Sequence, residues 1–399
     1  MVATASLEAP EPKAEDAQIE SQSIHDVENK KVPWPDEVWK TIHRAVHDEM
    51  MRASAGAQFL PHHIVHPKTM SISPDTIVDA QLDATLPGGT AASGGSSAAL
   101  PPLTLSIDEG QTIRLNEIWT EFALTTQQVH DASEAKNPEF TSAVTLARRA
   151  AQYLALAQDA VIFQGQVGYS SPFFQQFVRS RPGQIPMDSG LLSIMPAATP
   201  APPAATPPYY TPANYPFPSQ GPFASSNPTI LVPRASTSGT AGGPIWGDEI
   251  FAAATTAYSM LQSQGQSGPY ALILHTVPYA DLFAPVGTES LVITADRVSP
   301  LMKAGLWSTG MLPPTAAPAS ASASSGSSNF TSPASPGNSP YYAGVVCAVG
   351  GGTVDLVVGL HARTVFLQQD VGQNWRFRIL TRFALRVTDT SATVPLIFL

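Results

Sequence analysis

The sequence predicts an α+β fold built on one long strand and one long helix. Three observations carry this. In WRFRILTRFALRV, residues 375–387, Trp375, Phe377, Ile379, Phe383, Leu385 and Val387 share one parity, and Arg376, Arg378, Arg382 and Arg386 share the other. That is the period of two that a strand imposes. In NPEFTSAVTLARRAAQYLALAQDAVIFQG, Val144, Ala147, Ala151, Leu154 and Val161 recur at helical spacing. Strand-like segments gather at the end of the chain, while helical and strand-like segments alternate before them.

Each element follows from local chemistry. Residues 1–31 are Glu-rich and contain no Phe, Trp or Tyr, so they bury too little to offset the entropy of ordering and are predicted to be a disordered acidic arm. In WPDEVWKTIHRAVHDEMMRASAG, Pro35 suits a first helical turn and Asp36 and Glu37 suit its positive end. Val38, Trp39, Ile42, Val46 and Met50 form the apolar face, and Gly56 is the expected stop. Residues 71–112 pass through the flexible PGGTAASGGSSAALPP and read as a long hairpin arm, and IRLNEIWTEFAL continues as a strand. The longest helix is expected over 138–164, with Asn137 as its cap and Pro138 as its first residue.

Between residues 196 and 228 one residue in three is proline, which favours extended polyproline conformation, and a second biased segment rich in Ser, Ala and Pro spans 313–340. Both are expected to be surface insertions. Between them GDEIFAAATTAYSMLQSQ reads as an amphipathic helix, YALILHT as a buried strand and ADRVSPLMKAGLW as a short mixed segment. The chain ends in strands: YYAGVVCAV, TVDLVVGL, RTVFLQQ, the long two-faced strand, and ATVPLIFL.

Composition narrows the function. Only 13% of the 399 residues are charged, against about 25% in ordinary globular proteins, and the net charge is −10. This argues against bulk binding of nucleic acid or anionic membrane. The four arginines of the long strand are a local basic face, read first as interface or surface ion pairing. The single cysteine, Cys347, lies in the apolar GVVCAV, which reads as a buried inert thiol in a reducing compartment. The N-terminus has acidic residues where a signal peptide has basic ones, and no window approaches eighteen apolar residues, so a soluble cytoplasmic protein is expected.

Catalytic patterns are scarce. His43 and His47 stand four apart, but Arg44 occupies the place of the metalloprotease Glu. PHHIVHP brings His62, His63 and His66 together without a carboxylate, and a metal-dependent enzyme using these three is the alternative from another class. The sequence contains no nucleophile elbow, phosphate loop or C-x-x-C pair. Gly350, Gly351 and Gly352 read as a turn. The expectation is a protein without catalytic residues, cofactor or metal.

The blocks VPWPDEVWKTIHRAV, KNPEFTSAVTLARRAAQYLALAQDAVIFQG, SGLLS, SGPYALILHT, DLVVGLHARTVFLQQD and WRFRILTRFALRV resemble, in order, the landmarks of encapsulins. These are the linocin-type shell proteins similar in fold to Hong Kong 97-type phage capsid proteins. The resemblance implies an α+β capsid protomer: an N-terminal helix and P-domain start over 32–73, an E-loop over 74–112, and a P-domain with its spine helix over 113–186. It implies an A-domain over 187–341, holding the inserts 195–243 and 313–340, and return strands of the P-domain over 342–399. In such shells long strands run between subunits, so the arginines are expected to be available to neighbours.

The function implied is a self-assembling icosahedral nanocompartment that encloses cargo enzymes, with a phage or prophage major capsid protein as the alternative. The implied partners are further copies of the chain and a cargo enzyme held by a short tail, whether peroxidase, ferritin-like or hemerythrin-like. Neither nucleic acid nor membrane is expected. Positions matching the family's cargo pocket are Met50, Phe59, Leu360 and Val365, and those matching its pore are Gly287, Thr288, Glu289 and Ser290.

Overall fold

The computed structural model describes residues 31–78, 106–108, 112–135, 137, 139, 141–169, 171–180, 190–192, 229–233, 245–284, 292–312, 342–350, 352–370, 372 and 374–398. The chain enters through α1 (Asp36–Ala53) and α2 (Ala55–Phe59), then β1 (His62–Ile64), β2 (Ser71–Ile72) and β3 (Thr76–Val78). There follow β4 (Ser106–Asp108), β5 (Ile113–Arg114), β6 (Asn116–Thr125), α3 (Thr126–Glu134), α4 (Ser142–Gln164), α5 (Gln166–Tyr169), α6 (Pro172–Phe177) and β7 (Arg179–Ser180). The second half comprises β8 (Ile230–Val232), α7 (Asp248–Ser263), β9 (Tyr270–His275), α8 (Thr276–Asp281), α9 (Thr294–Val298) and β10 (Gly305–Thr309). It closes with β11 (Tyr342–Ala348), β12 (Val354–Gln369), β13 (Asn374–Val387) and β14 (Thr393–Phe398).

These elements form the α+β fold that the sequence predicts. One five-stranded sheet has the order β1-β12-β13-β6-β7 and the other β10-β9-β11-β14-β8. The chain therefore switches sheets twice near its end: β11 and β14 lie in the second, and β12 and β13, between them in sequence, lie in the first. At about 3.3 Å per residue, β13 spans roughly 45 Å. Its odd-numbered face carries the core. Phe377 stacks on Trp34 at 4.9 Å and on Phe122 at 5.3 Å, and Trp34 donates its indole N–H to the Val129 carbonyl at 2.9 Å. The apolar faces read in α1 and α4 are buried, including Val38, Ile42, Val46, Val144, Ala147, Ala151, Leu154 and Val161.

Three local expectations change. The long helix starts at Ser142, because the Thr141 hydroxyl accepts the Val144 N–H and takes the capping role expected of Asn137. Gly56 does not end α1; the chain leaves helical geometry at Ser54, whose hydroxyl caps α2 by accepting from the Ala57 N–H at 3.0 Å. Gly56 lies inside α2, where a Cβ would come within 2.6 Å of Ile162 Cδ1. The two strands expected over 353–360 and 363–369 are one, β12. Register shifts around Leu360 and Arg363 absorb the surplus residues, so pairing with β13 continues past them.

Asp159 fixes the junction between these parts. It is wholly buried in α4. Its carboxylate accepts from the Ser54 hydroxyl at 2.6 Å, the Ala55 and Gly56 N–H groups at 2.9 and 3.0 Å, and the Thr309 hydroxyl of β10 at 3.2 Å. One side chain thus holds the α1–α2 corner, α4 and the second sheet. Asp281 acts similarly in the second half, accepting the N–H groups of Ile245, Trp246 and Gly247 at the entry to α7.

Burial raises the Asp159 carboxyl from 3.8 to about 6, with the hydrogen bonds from Ser54, Gly56, Ala55 and Thr309 opposing it. The folded chain therefore holds this proton more tightly than the unfolded chain. The associated stability is fully present below pH 3.8 and is lost as pH rises through about 6. The thermal midpoint of the wild type should exceed that of Asp159→Asn by a margin that narrows as pH is raised through this window. A margin independent of pH would contradict the assignment.

Candidate functional site

The long strand offers the first candidate surface, because four arginines on one face look like donors in search of a partner. The structure places the partners within the same chain. Arg378 lies opposite Glu121 and Arg382 opposite Glu117 across the β13–β6 pair, and Arg386 lies opposite Asp355 across the β13–β12 pair. The contacts are Arg378 Nη2–Glu121 Oε1 at 2.7 Å, Arg382 Nε–Glu117 Oε2 at 3.1 Å and Arg386 Nε–Asp355 Oδ1 at 2.9 Å. Arg376 reaches Asp370 at 2.6 Å. Arg382 also donates to the Pro67 carbonyl, and Arg378 lies 4.7 Å over the Trp119 ring.

This corrects the expectation that the arginines are available to neighbours. They form a ladder of cross-strand ion pairs that is completed within the one chain. The signal was present in NEIWTEF, where Glu117 and Glu121 stand four apart and so share a strand face.

The four positions read as a cargo pocket are distributed over two surfaces. Met50 and Phe59 are buried on the helical side, where Phe59 stacks on Phe163 of α4 at 6.2 Å. Leu360 and Val365 lie opposite Arg382 and Arg378 in the β12–β13 register, on the arginine side. Val365 is buried and Leu360 half-buried. Met50 lines a small cleft between α1 and the sheet, of about 30 Å³, together with His47, His62, Leu356, His361 and Phe383. The pore positions Gly287, Thr288, Glu289 and Ser290 fall outside the described residues, as do the acidic arm up to residue 30, the arm tip over 79–105 and the segment 313–340. Of 195–243, residues 229–233 are described.

The histidines are spread among unlike tasks. His43 Nε2 lies 3.1 Å from the Thr364 carbonyl, and His66 Nδ1 accepts from the Lys68 N–H. His47 and His361 meet edge to face at 5.8 Å. Burial lowers the pKa of His62, with the nearby His47 acting in the same direction. Among the described residues no group of three or more His, Cys, Asp or Glu side chains is placed to hold a metal ion. Burial pushes the Cys347 thiol well above its ordinary range, which disfavours the reactive thiolate. No helix among the described residues is long and apolar enough to cross a membrane.

No family model matches the chain, and no curated protein is similar to it. Among solved structures, the chain is similar to a virus-like particle from Pyrococcus furiosus at 12% identity and a TM-score of 0.48, over 90% of this chain and 98% of that one. It is similar to the capsid of Myoviridae phage XM1 at 10% identity and 0.46, over 86% and 90% of the two chains. The capsid of a native GTA particle is similar at 14% identity and 0.45, over 88% and 90%.

Because Asp355 is buried beside Arg386, Arg386→Met should destabilise the folded chain by about 3 kcal/mol in denaturant unfolding, by leaving a carboxylate unpaired. Adding Asp355→Leu should restore most of the loss. An Arg386→Met protein as stable as wild type would show that the ladder contributes nothing.

Proposed function

We propose that the chain is the subunit of a self-assembling icosahedral shell, an encapsulin-type nanocompartment that encloses cargo enzymes. The observation that carries this reading is the arm. Among the described residues β3 and β4 pair only with one another, and Ile77 at their base is 38% exposed. The arm is tied to the body by the Ile77 N–H, which donates to the Thr388 carbonyl at 2.7 Å. A two-stranded ribbon is marginal in water by itself, and a neighbouring copy is the surface that would complete it. Closed symmetry repeats such a contact many times, so each can be modest.

The element order and the block resemblance support the same reading. In it the protein contributes enclosure and no catalysis. Of the four cargo positions, Leu360, half-buried on the arginine side of the sheet, is the one that meets an apolar cargo tail, and Gly287, Thr288, Glu289 and Ser290 surround a pore where the Glu289 charge favours cations. The cargo is a peroxidase, ferritin-like or hemerythrin-like enzyme. Nucleic acid copurifying inside the shells, with no enzyme, would place the protein among phage capsids instead.

Replacing 79–105 with a short Gly/Ser turn should leave a folded protomer that no longer closes into shells, read by light scattering alongside circular dichroism. Shells that still form would remove the arm from the assembly contact. Leu360→Asp, at the half-buried member of the cargo set, should abolish cargo capture while shells persist; filled shells would place the cargo elsewhere.

A further inference from the structure

Six described arginines are held by carboxylates: Arg52, Arg297, Arg376, Arg378, Arg382 and Arg386. Arg148, Arg149 and Arg179 are exposed, and none makes an ion pair among the described residues. Arg149 lies against a cluster of aromatic rings, with Arg148 beside it in the chain and Arg179 two residues after the last of the rings, Phe177. The Arg149 guanidinium lies 4.7 Å over the Tyr153 ring and bonds Gln152 at 2.7 Å. Tyr153 stacks on Phe177 at 4.4 Å, and Phe173 packs 5.3 Å from Phe177. Arg179 follows Phe177 by two residues and turns back onto the Gln175 carbonyl. Leu146, 36% exposed, is on the same helix as Arg149.

The surface stands out electrically. Across α4, α5, α6 and β7 the one acidic residue is Asp159, which is buried and committed to Ser54, Ala55, Gly56 and Thr309. The neighbouring α3 carries Asp131 and Glu134, and these face Gln127 and His130 on their own helix. β7 pairs with β6, where Trp119 lies opposite Arg179 between Glu117 and Glu121, and these two acids are held by Arg382 and Arg378; Glu139 precedes α4 by three residues. In a chain of net charge −10, this is a basic and aromatic surface whose strand-neighbour acids are already paired.

We propose that this surface docks the chain's own acidic N-terminal segment, residues 1–31. That segment carries Glu8, Glu11, Glu15, Asp16, Glu20, Asp26 and Glu28 against Lys13, Lys30 and Lys31. Leu7, Ile19 and Ile24 are interspersed with these acids and suit the rings beside Arg149. The segment joins the fold just before Trp34, which is anchored on α3, a helix that packs against α4. Extended, some 30 residues reach up to roughly 100 Å, enough for the patch on the same copy or on an adjacent one. Carboxylates on guanidinium groups already stacked against a ring gain directed hydrogen bonds as well as charge attraction. Each exposed pair contributes little, so docking depends on several acting together and weakens with salt.

The test uses the full chain carrying Ser21→Cys with a nitroxide label, since Cys347 is buried and does not compete for the reagent. At low ionic strength the label should show a largely immobilised spectrum. That component should be mostly lost on adding salt, and likewise in Arg148→Glu/Arg149→Glu/Arg179→Glu. Glu15→Arg/Asp16→Arg/Glu20→Arg in the arm should restore it on the reversed patch. An unchanged thermal midpoint checks the fold, and the triple Gln variant, expected to lose an intermediate share, serves if the Glu variant is unstable. A label mobile in all forms, or immobilised equally in all, overturns the proposal. So does a mobile label together with a single-stranded oligonucleotide retained by the wild type and not by the patch variant, which would make the surface a nucleic-acid site.

Discussion

The Asp159 carboxylate is the constraint on which the rest of the architecture depends. It lies in the longest helix, has no access to water, and accepts hydrogen bonds from three consecutive residues at the α1–α2 corner and from β10 of the second sheet. Removing it would leave the N–H groups of Ala55 and Gly56 buried without acceptors, at a cost of about 1–3 kcal/mol each. Gly56 is part of the same constraint, because a side chain there would strike Ile162 and push the corner away from the carboxylate. Asp281 repeats the device at the entry to α7. Each half of the molecule thus uses a buried carboxylate to hold backbone N–H groups that packing has removed from solvent.

With that junction fixed, β13 can serve two unlike surfaces. Its odd-numbered side is bound into an aromatic cluster with Trp34, Phe122 and Phe366, which ties the residues just before α1 to the last long strand. Its even-numbered side carries a charge ladder whose partners come from strands on both flanks. Satisfying those charges within one copy means that contact between copies does not draw on them. In the shell reading, association falls instead to the β3–β4 arm and to surfaces beyond the sheet.

Much of this was legible in the sequence because it depends on periodicity. Alternation over 375–387 identifies a two-faced strand wherever its neighbours lie, and the helical recurrence from Val144 to Val161 identifies a buried face. The errors fall where tertiary partners decide. Thr141 and Asn137 are both competent caps, and the local sequence does not choose between them. Gly56 reads as a stop until the corner around Asp159 is seen. Asp159 itself was invisible, since a lone acid in an apolar helix carries no sign of which backbone groups it will receive. The arginine ladder lay between these cases, because the parity of Glu117 and Glu121 could have been matched to that of Arg378 and Arg382. The cargo positions came from resemblance alone. The fold sets Met50 and Phe59 on one side of the first sheet, and Leu360 and Val365 on the other.

The central claim is that this protomer is completed by many copies of itself. The most direct measurement is the mass and image of the purified, unaltered protein, by multi-angle light scattering and electron microscopy of the same fraction. The account predicts a megadalton species that images as closed shells of uniform size. A stable monomer or dimer at ordinary ionic strength would contradict it.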